Sequence, residues 1–397
     1  MKNIRKRIAN KLKYMDYYIL IPFVLLTCIG IVMVYSASSA TVVQMGLSAN
    51  YYLKKQAIYA VLSFIIVILL FFMRNEILHK RAIYELMILV IGALLIGLVG
   101  LAHIDPRAAV NGATAWIRIG PINIEPSELA KLAVILYLAY VFGQRKKYAQ
   151  GMIDFFKINR SALFIVILFG FLILIQPDTG GFTILATIIL VMIFTSGMPA
   201  KSSLKWTILL LLAFGITLFL LVKYPLPFLE HSYQYQRIMA FAHPFKYAKS
   251  GGTQLVNSYY AIVNGGLFGR GIGQSIQKRG FLPEPYTDFI MSVITEELGV
   301  IGAVVILALL FFLIGRIILI GIRAHRSYNA LICFGVGTWL FVQTVFNVGG
   351  MLGLLPITGV TLPFISYGGS SMIALSIAIG IVLNVDANEK KMKLQFK

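Results

Sequence analysis

Ten apolar stretches, each close to the ~20 residues a helix needs to cross the hydrocarbon of a bilayer, recur along this 397-residue chain and leave room for few other folds. They lie near residues 17–37, 56–73, 83–103, 126–143, 161–176, 180–198, 206–222, 288–315, 329–350 and 370–385. In lipid the backbone N–H and C=O groups must be paired inside the protein, which a helix achieves within its own segment. The prediction is an all-α polytopic membrane protein of about ten transmembrane helices. Composition agrees, with 59% hydrophobic and 13% charged residues, where soluble domains carry roughly 25% charge. Both cysteines, Cys28 and Cys333, fall inside apolar runs, so no disulfide framework is expected. The basic start precedes an apolar run long enough to remain as a helix, and no cleavage is expected there.

A formal net charge of +20 would suggest nucleic acid in a soluble protein. Here the Lys and Arg collect in short segments between the apolar runs, where they read as topology signals, and no nucleic-acid partner is expected. An even number of spans puts both termini on one side. Segments on that side hold 23 Lys and Arg against 11 opposite, and seven of the 11 lie in one loop, 223–287, too long to bear on orientation. Both termini are thus predicted to be cytoplasmic, with an N-terminal segment at 1–16, a membrane domain at 17–385 and a C-terminal tail at 386–397. The loop at 223–287, between the seventh and eighth helices, is expected outside. Its glycines and prolines break it into short interfacial pieces, and its 65 residues exceed what a connector requires, which makes it a candidate functional element. No soluble domain, low-complexity tract or internal repeat is visible.

Charge at membrane depth is costly and marks a cavity or a partner. Glu128 and Lys131, in EPSELAK near the outer start of the fourth span, stand three residues apart on one helical face. They form either an ion pair that orients the helix or a substrate contact. Asp178 follows Pro177 in IQPDTGG, as a helix cap or a site residue. Asp288 opens the eighth span in KRGFLPEPYTDFIMSVITEELG, as an N-cap or a reactive carboxylate. Two turns on, Glu296 falls on nearly the same side as Asp288 and Glu297 about 100° away, so that one of them either lines the same cavity or makes a packing contact. Arg237, Arg270, Lys278 and Arg279 in the long loop form a basic group suited to a phosphate, the alternative being solvated side chains. Ser366 and Ser370, in ISYGGSS, complete the candidate substrate contacts.

The glycine run NGGLFGRGIG (Asn264 to Gly273) has no strand before it and no GK[ST] after it, which excludes a nucleotide loop. Close backbone approach or a re-entrant turn is predicted instead. The five histidines show no paired spacing, so a histidine metal site is not expected. A carboxylate-held divalent cation such as Mg or Mn stays open.

Together the motifs resemble the SEDS family, FtsW and RodA, over nearly the whole chain. The resemblance rests on VYSASS (Val34 to Ser39), NGATAWIRIGPINIEPSELAK (Asn111 to Lys131), QPDTGG (Gln176 to Gly181), SYYAIVNGGLFGRGIG (Ser258 to Gly273), KRGFLPEPYTDF and TGVTLPFISYGGSS (Thr358 to Ser371), all in family order. Two positions depart from it. Many members carry Arg before the tryptophan of the first outer motif, where this chain has Ala115 before Trp116, and many carry His before the Thr-Asp pair, where this chain has Tyr286.

The resemblance implies a peptidoglycan glycosyltransferase of the cell membrane. Such an enzyme polymerises lipid II, a disaccharide peptide on undecaprenyl pyrophosphate, at the outer face with a class B penicillin-binding protein as partner. NGATAWI, NSYYAIVNGG, KRGFLP and VLNVDANEKK are similar to division members of the family, implying a place at the septum among divisome membrane proteins. A RodA-type elongation role is the alternative. Asp288 matches the family's essential aspartate. Pyrophosphate leaves without acid assistance, so the demanding step is deprotonation of the acceptor 4-hydroxyl, for which one carboxylate suffices as general base. Attack then inverts the anomeric centre. The departing pyrophosphate still needs compensating charge, from Arg270, Lys278, Arg279 or a divalent ion. Two rival classes are a lipid II transporter, which should show a midplane site and repeated halves, and a non-catalytic scaffold, in which Asp288 would be dispensable.

Overall fold

A computed structural model of the chain describes residues 11–78, 80–104, 115–119, 122–144, 152–224, 232–249 and 251–395. Helix α1 (Tyr17–Gln44) starts where the Asp16 carboxylate accepts a hydrogen bond from the Tyr18 amide at 3.0 Å, satisfying one of the free amides of the first turn. Then come α2 (Tyr51–Phe72), the short α3 (Asn75–Leu78) and α4 (Arg81–Ile104). Strands β1 (Ile117–Ile119) and β2 (Ile122–Ile124) pair antiparallel and lead into α5 (Pro126–Gly143), whose first position holds a proline that has no N–H to leave unsatisfied. After α6 (Met152–Ile158), α7 (Arg160–Ile175), α8 (Thr179–Thr195) and α9 (Ala200–Lys223), the long loop contributes α10 (Tyr233–Ala242) and α11 (Thr253–Gly265). The chain finishes with α12 (Ile290–Arg323), α13 (Ser327–Met351) and α14 (Gly369–Gln395).

Among the described residues eight helices are long and apolar enough to cross a membrane, and α7 and α8 are apolar but shorter. Each of the ten apolar runs falls on one of these ten helices, and the protein is a multi-pass membrane protein. Three details differ from expectation. In a chain expected to be all-α, Ile117–Ile119 and Ile122–Ile124 pair as two short strands, because apolar residues at every second position suit a strand. The eighth span starts at Ile290, after Asp288. Helix α14 continues to Gln395, through most of the segment expected as a tail. Residues 1–10 lie outside the described residues.

The core lies between α5, α12, α13 and α14. Of the most apolar stretch of each helix, 83% is buried in α14 and 72% in α5, against none in α9, which is apolar all round and faces outward. At one end of the bundle Asp16 accepts from Arg316 at 2.5 Å and from Lys390 at 2.9 Å, which joins the start of α1 to the end of α14. Ser370, in the first turn of α14, is therefore at the other end, about 30 Å away at 1.5 Å per residue.

Helix α12 is broken at Gly299, whose φ of 73° and ψ of 178° are not helical. The break is filled by the glycine run. Arg270 and Gly271 donate their amides to the carbonyls of Glu296 and Glu297 at 3.0 and 2.9 Å, while Val300 and Ile301 donate to the carbonyls of Gly266 and Leu267 at 2.9 and 3.2 Å. Backbone groups orphaned by the break are thus satisfied by a second chain segment. A Cβ on Gly269 would strike the carbonyl of Glu297, and one on Gly299 the carbonyl of Leu267, so both positions require glycine. The close backbone approach expected of NGGLFGRGIG is this contact.

Candidate active site

At the end of the bundle away from the chain ends, a cavity of about 280 Å³ opens between the start of α5, the start of α8, α10, the segment before α12 and the loop joining α13 to α14. Its lining brings together Glu128, Lys131, Asp178, Arg237, Asp288 and Ser370 from the residues singled out in the sequence. It adds Glu125, Glu284, Tyr59 and Tyr367, which sequence reasoning missed.

One wall is acidic. Lys131 donates to Glu128 Oε1 at 2.7 Å, both side chains are buried, and the ammonium lies 5.3 Å from the centre of the Trp339 ring. Asp178 caps α8 by accepting from the Gly181 amide at 2.8 Å. These residues pair or cap and also line the cavity. Each keeps one oxygen, Glu128 Oε2 and Asp178 Oδ2, without a hydrogen-bond partner among the described residues.

Glu125, at the cap position before Pro126, accepts from Ser127 at 2.9 Å, and its amide donates to Ser370 Oγ at 3.0 Å. Ser370 in turn donates to the Asn123 carbonyl at 2.7 Å, fastening the hairpin to α14. Burial pushes the Glu125 carboxyl up to about 8, with Glu128 and Asp178 adding to the rise and Lys131 opposing it. The rise favours its neutral form. Its position beside Glu128 in EPSE was the available signal.

Across the cavity lies Asp288, whose carboxyl is pushed up to about 6, first by burial and then by Glu284, against the opposing charge of Arg237 and a hydrogen bond from Thr287. Arg237 donates to the Ile357 carbonyl at 3.2 Å. Gly359 separates the two groups: a Cβ there would sit 3.2 Å from Arg237 Nη1 and 3.4 Å from Asp288 Oδ2, and its φ of 75° also favours glycine. Glu284 holds a φ of 51°, a left-handed backbone uncommon outside glycine and costly unless its surroundings enforce it.

The backbone of Asp288 is held from behind. Asn347 of α13 donates to the Asp288 carbonyl at 2.8 Å and to the Val360 carbonyl at 2.7 Å. Ser366 donates to the Thr287 carbonyl at 2.7 Å and accepts from the Leu362 amide at 2.8 Å, so it is a buried strut rather than a substrate contact. The N-cap of α12 is Phe289, leaving the Asp288 carboxylate uncommitted to capping.

The remaining basic and acidic candidates lie elsewhere. Arg270 and Arg279 are exposed and outside the cavity lining. Lys278 is buried with its ammonium 2.7 Å from Glu297 Oε1 and 3.0 Å from Ser36 Oγ, a placement that commits it to an internal pair instead of a pyrophosphate. Glu296 does not line the Asp288 cavity. It is fully buried, accepting from Ser275 Oγ and from the amides of Ile276 and Gln277, both at 3.2 Å. Among the described residues no three His, Cys, Asp or Glu are placed to hold a metal ion.

The cavity thus brings together a carboxylate near a guanidinium, a second carboxyl raised by burial, and a buried ion pair. That arrangement can remove a proton from a hydroxyl group and hold an anion.

The family model of FtsW, RodA and SpoVE, described as cell cycle proteins, matches residues 16–391. A relative from Lactococcus lactis, named "Probable peptidoglycan glycosyltransferase FtsW", is 40% identical over 401 residues, covering 97% of this chain and 95% of its own. A Bacillus subtilis relative of the same name is 37% identical over 384 residues, covering 95% and 92%. The solved structure titled "Structural coordination of polymerization and crosslinking by a peptidoglycan synthase complex" is similar with a TM-score of 0.71 at 27% identity, over 94% of this chain and 98% of that one. The rod shape determining protein RodA of Thermus thermophilus gives a TM-score of 0.64 at 26% identity, over 94% and 97%.

Proposed function

This chain belongs to the family of cell cycle proteins that holds FtsW, RodA and SpoVE, and on that premise we propose that its cavity is the polymerising site of a peptidoglycan glycosyltransferase of the FtsW kind. The observation that carries the site is the placement of Asp288 and Arg237 on either side of Gly359, near enough for the guanidinium to act on the carboxyl. Asp288 is the general base. It takes the proton of the acceptor 4-hydroxyl, whose oxygen attacks the anomeric carbon of lipid II and inverts it as the bond to pyrophosphate breaks. A carboxyl titrating at about 6 is ionised at neutral pH and basic enough to accept that proton. With Lys278 committed to Glu297 and Arg270 and Arg279 outside the lining, Arg237 is the cation beside the base that can offset the charge of the departing pyrophosphate. The rise in Glu125 favours its neutral form, which limits the negative charge on that acidic wall.

The relatives named FtsW support a septal place in the cell membrane, and the peptidoglycan synthase complex among the structural neighbours supports a class B penicillin-binding partner, with other divisome membrane proteins around it. Both termini are then cytoplasmic and the cavity opens on the outer face. The test is reconstitution in vesicles with fluorescent lipid II on the leaflet that the cavity faces. Glycan polymer without translocation is expected. Translocation without polymer would make the protein a lipid II transporter instead.

A further inference from the structure

Lys278, Glu297 and Ser36 form a closed, buried network outside the cavity lining. Lys278 Nζ lies 2.7 Å from Glu297 Oε1 and 3.0 Å from Ser36 Oγ, and Ser36 Oγ is 2.6 Å from Glu297 Oε2. Exposure is 4% for the Lys278 side chain and none for Glu297. The amide of Ser275 also reaches Glu297 Oε1, at 3.4 Å. Next to it the Glu296 carboxylate collects Ser275 Oγ and the amides of Ile276 and Gln277. Two adjacent carboxylates on the second turn of α12 therefore grip residues 275–278.

Ten residues later the same segment delivers Asp288, two positions before α12 begins. The stretch from Ser275 to Asp288 is a loop strapped at both ends to one helix and its neighbours. Its start is gripped by Glu296 and Glu297, its middle by Asn257 donating to the Phe281 carbonyl at 2.5 Å, and its end by Ser366 and Asn347. Ser36 brings α1 into the same grip. Directly beneath, the Gly299 break is occupied by the glycine run, so the half-turn of α12 bearing both carboxylates is held from two sides.

We infer that the Lys278–Glu297–Ser36 network is a positioning device for the base. It fixes the loop that carries Asp288 and so sets the distance of its carboxylate from Arg237 and from the attacking hydroxyl. This rests on the reading of Asp288 as the base. Lys278 is a positioning residue and touches no substrate. Misplacing a reacting group by about 1 Å can cost a factor of about 100, which sets the scale of the effect.

The test measures lipid II polymerisation by the full chain, co-purified with its penicillin-binding partner, for Glu297→Gln, Lys278→Met, the double variant, Ser36→Ala and Asp288→Asn. For Glu297→Gln and Lys278→Met, kcat should fall about tenfold to a hundredfold with KM for lipid II unchanged. The double variant should be no slower than the slower single, because both cut one interaction. The acidic limb of kcat/KM should also move away from its wild-type position, since the charge of Arg237 acts on Asp288 from a different distance. Ser36→Ala removes one hydroxyl and should show the same pattern more weakly, which keeps the question answerable if a pair variant fails to fold.

A rise in KM for Lys278→Met, with Glu297→Gln near wild type, would overturn the inference and return Lys278 to pyrophosphate binding. Lower thermal stability with unchanged kcat and an unmoved acidic limb would reduce the network to a structural tie and overturn it equally. If Asp288→Asn itself stays active, the assignment of the base fails. An inactive Asp288→Asn beside normal pair variants fails the positioning inference alone.

Discussion

Among the described residues two buried Lys–Glu pairs share the same 2.7 Å separation, and they do different work. Glu128 and Lys131 stand three residues apart on one helix, and both line the cavity. Lys278 and Glu297 come from a loop and a helix, lie outside the cavity lining, and clamp one segment onto another. Their difference lies in the unmade bonds. Glu128, which lines the cavity, keeps one buried oxygen without a hydrogen-bond partner among the described residues, whereas both oxygens of Glu297 are taken by Ser36, Lys278 and Ser275. A buried ion pair is weak evidence of function by itself. An unsatisfied oxygen on a residue that lines a cavity is stronger evidence.

The largest effect should come from breaking the cavity pair. Lys131→Met leaves Glu128 as an uncompensated buried charge, a change that costs about 3–5 kcal/mol in comparable pairs. It should lower the thermal midpoint and also raise KM for lipid II, because the wall that faces the sugar is disturbed. Restoring neutrality with Lys131→Met and Glu128→Gln together should recover most of the stability but not the KM. Recovery of both would show that the cavity pair is purely structural.

A smaller effect is expected at Gly359. An alanine there must adopt a left-handed backbone and sit within 3.4 Å of both Arg237 and Asp288. Gly359→Ala should reduce kcat about tenfold to a hundredfold, on the scale of a displaced reacting group, with a loss of stability of about 1 kcal/mol for the strained backbone. Steady-state kinetics beside a melting curve separates the two. Unchanged kcat would mean that the spacing of the two charges across Gly359 does not matter to the reaction.

The sequence made the membrane helices legible because apolar length alone determines them, and each apolar run lies on a helix. Asp288, Glu128, Lys131 and Asp178 were legible because charge near a span is costly and therefore conspicuous. The pairing of Lys278 with Glu297 was not, since it depends on a loop folding back across a broken helix, and no local spacing encodes that. Arg270 and Arg279 were grouped with Arg237 by charge and loop membership, yet only Arg237 lies on α10, which the fold turns to the cavity. Glu125 was hidden next to a more conspicuous neighbour. Asn347 and Ser366, which grip the backbone at Asp288, carry no charge and looked like ordinary polar residues in apolar surroundings.

Asp288 itself gives the most direct test, through the pH dependence of polymerisation in wild type and Asp288→Asn. Its carboxyl titrates at about 6 in the folded protein against an ordinary value of 3.8. The base is therefore blocked by its proton below that pH and free above it. For the same reason its ionisation opposes folding: the cost is absent below the ordinary value, grows between the two, and is complete above about 6. The account predicts that wild-type kcat/KM rises through a limb near pH 6, while Asp288→Asn makes no polymer at any pH and melts no lower than wild type at pH 8. Polymer formed by Asp288→Asn with the same acidic limb would contradict the assignment of Asp288 as the base.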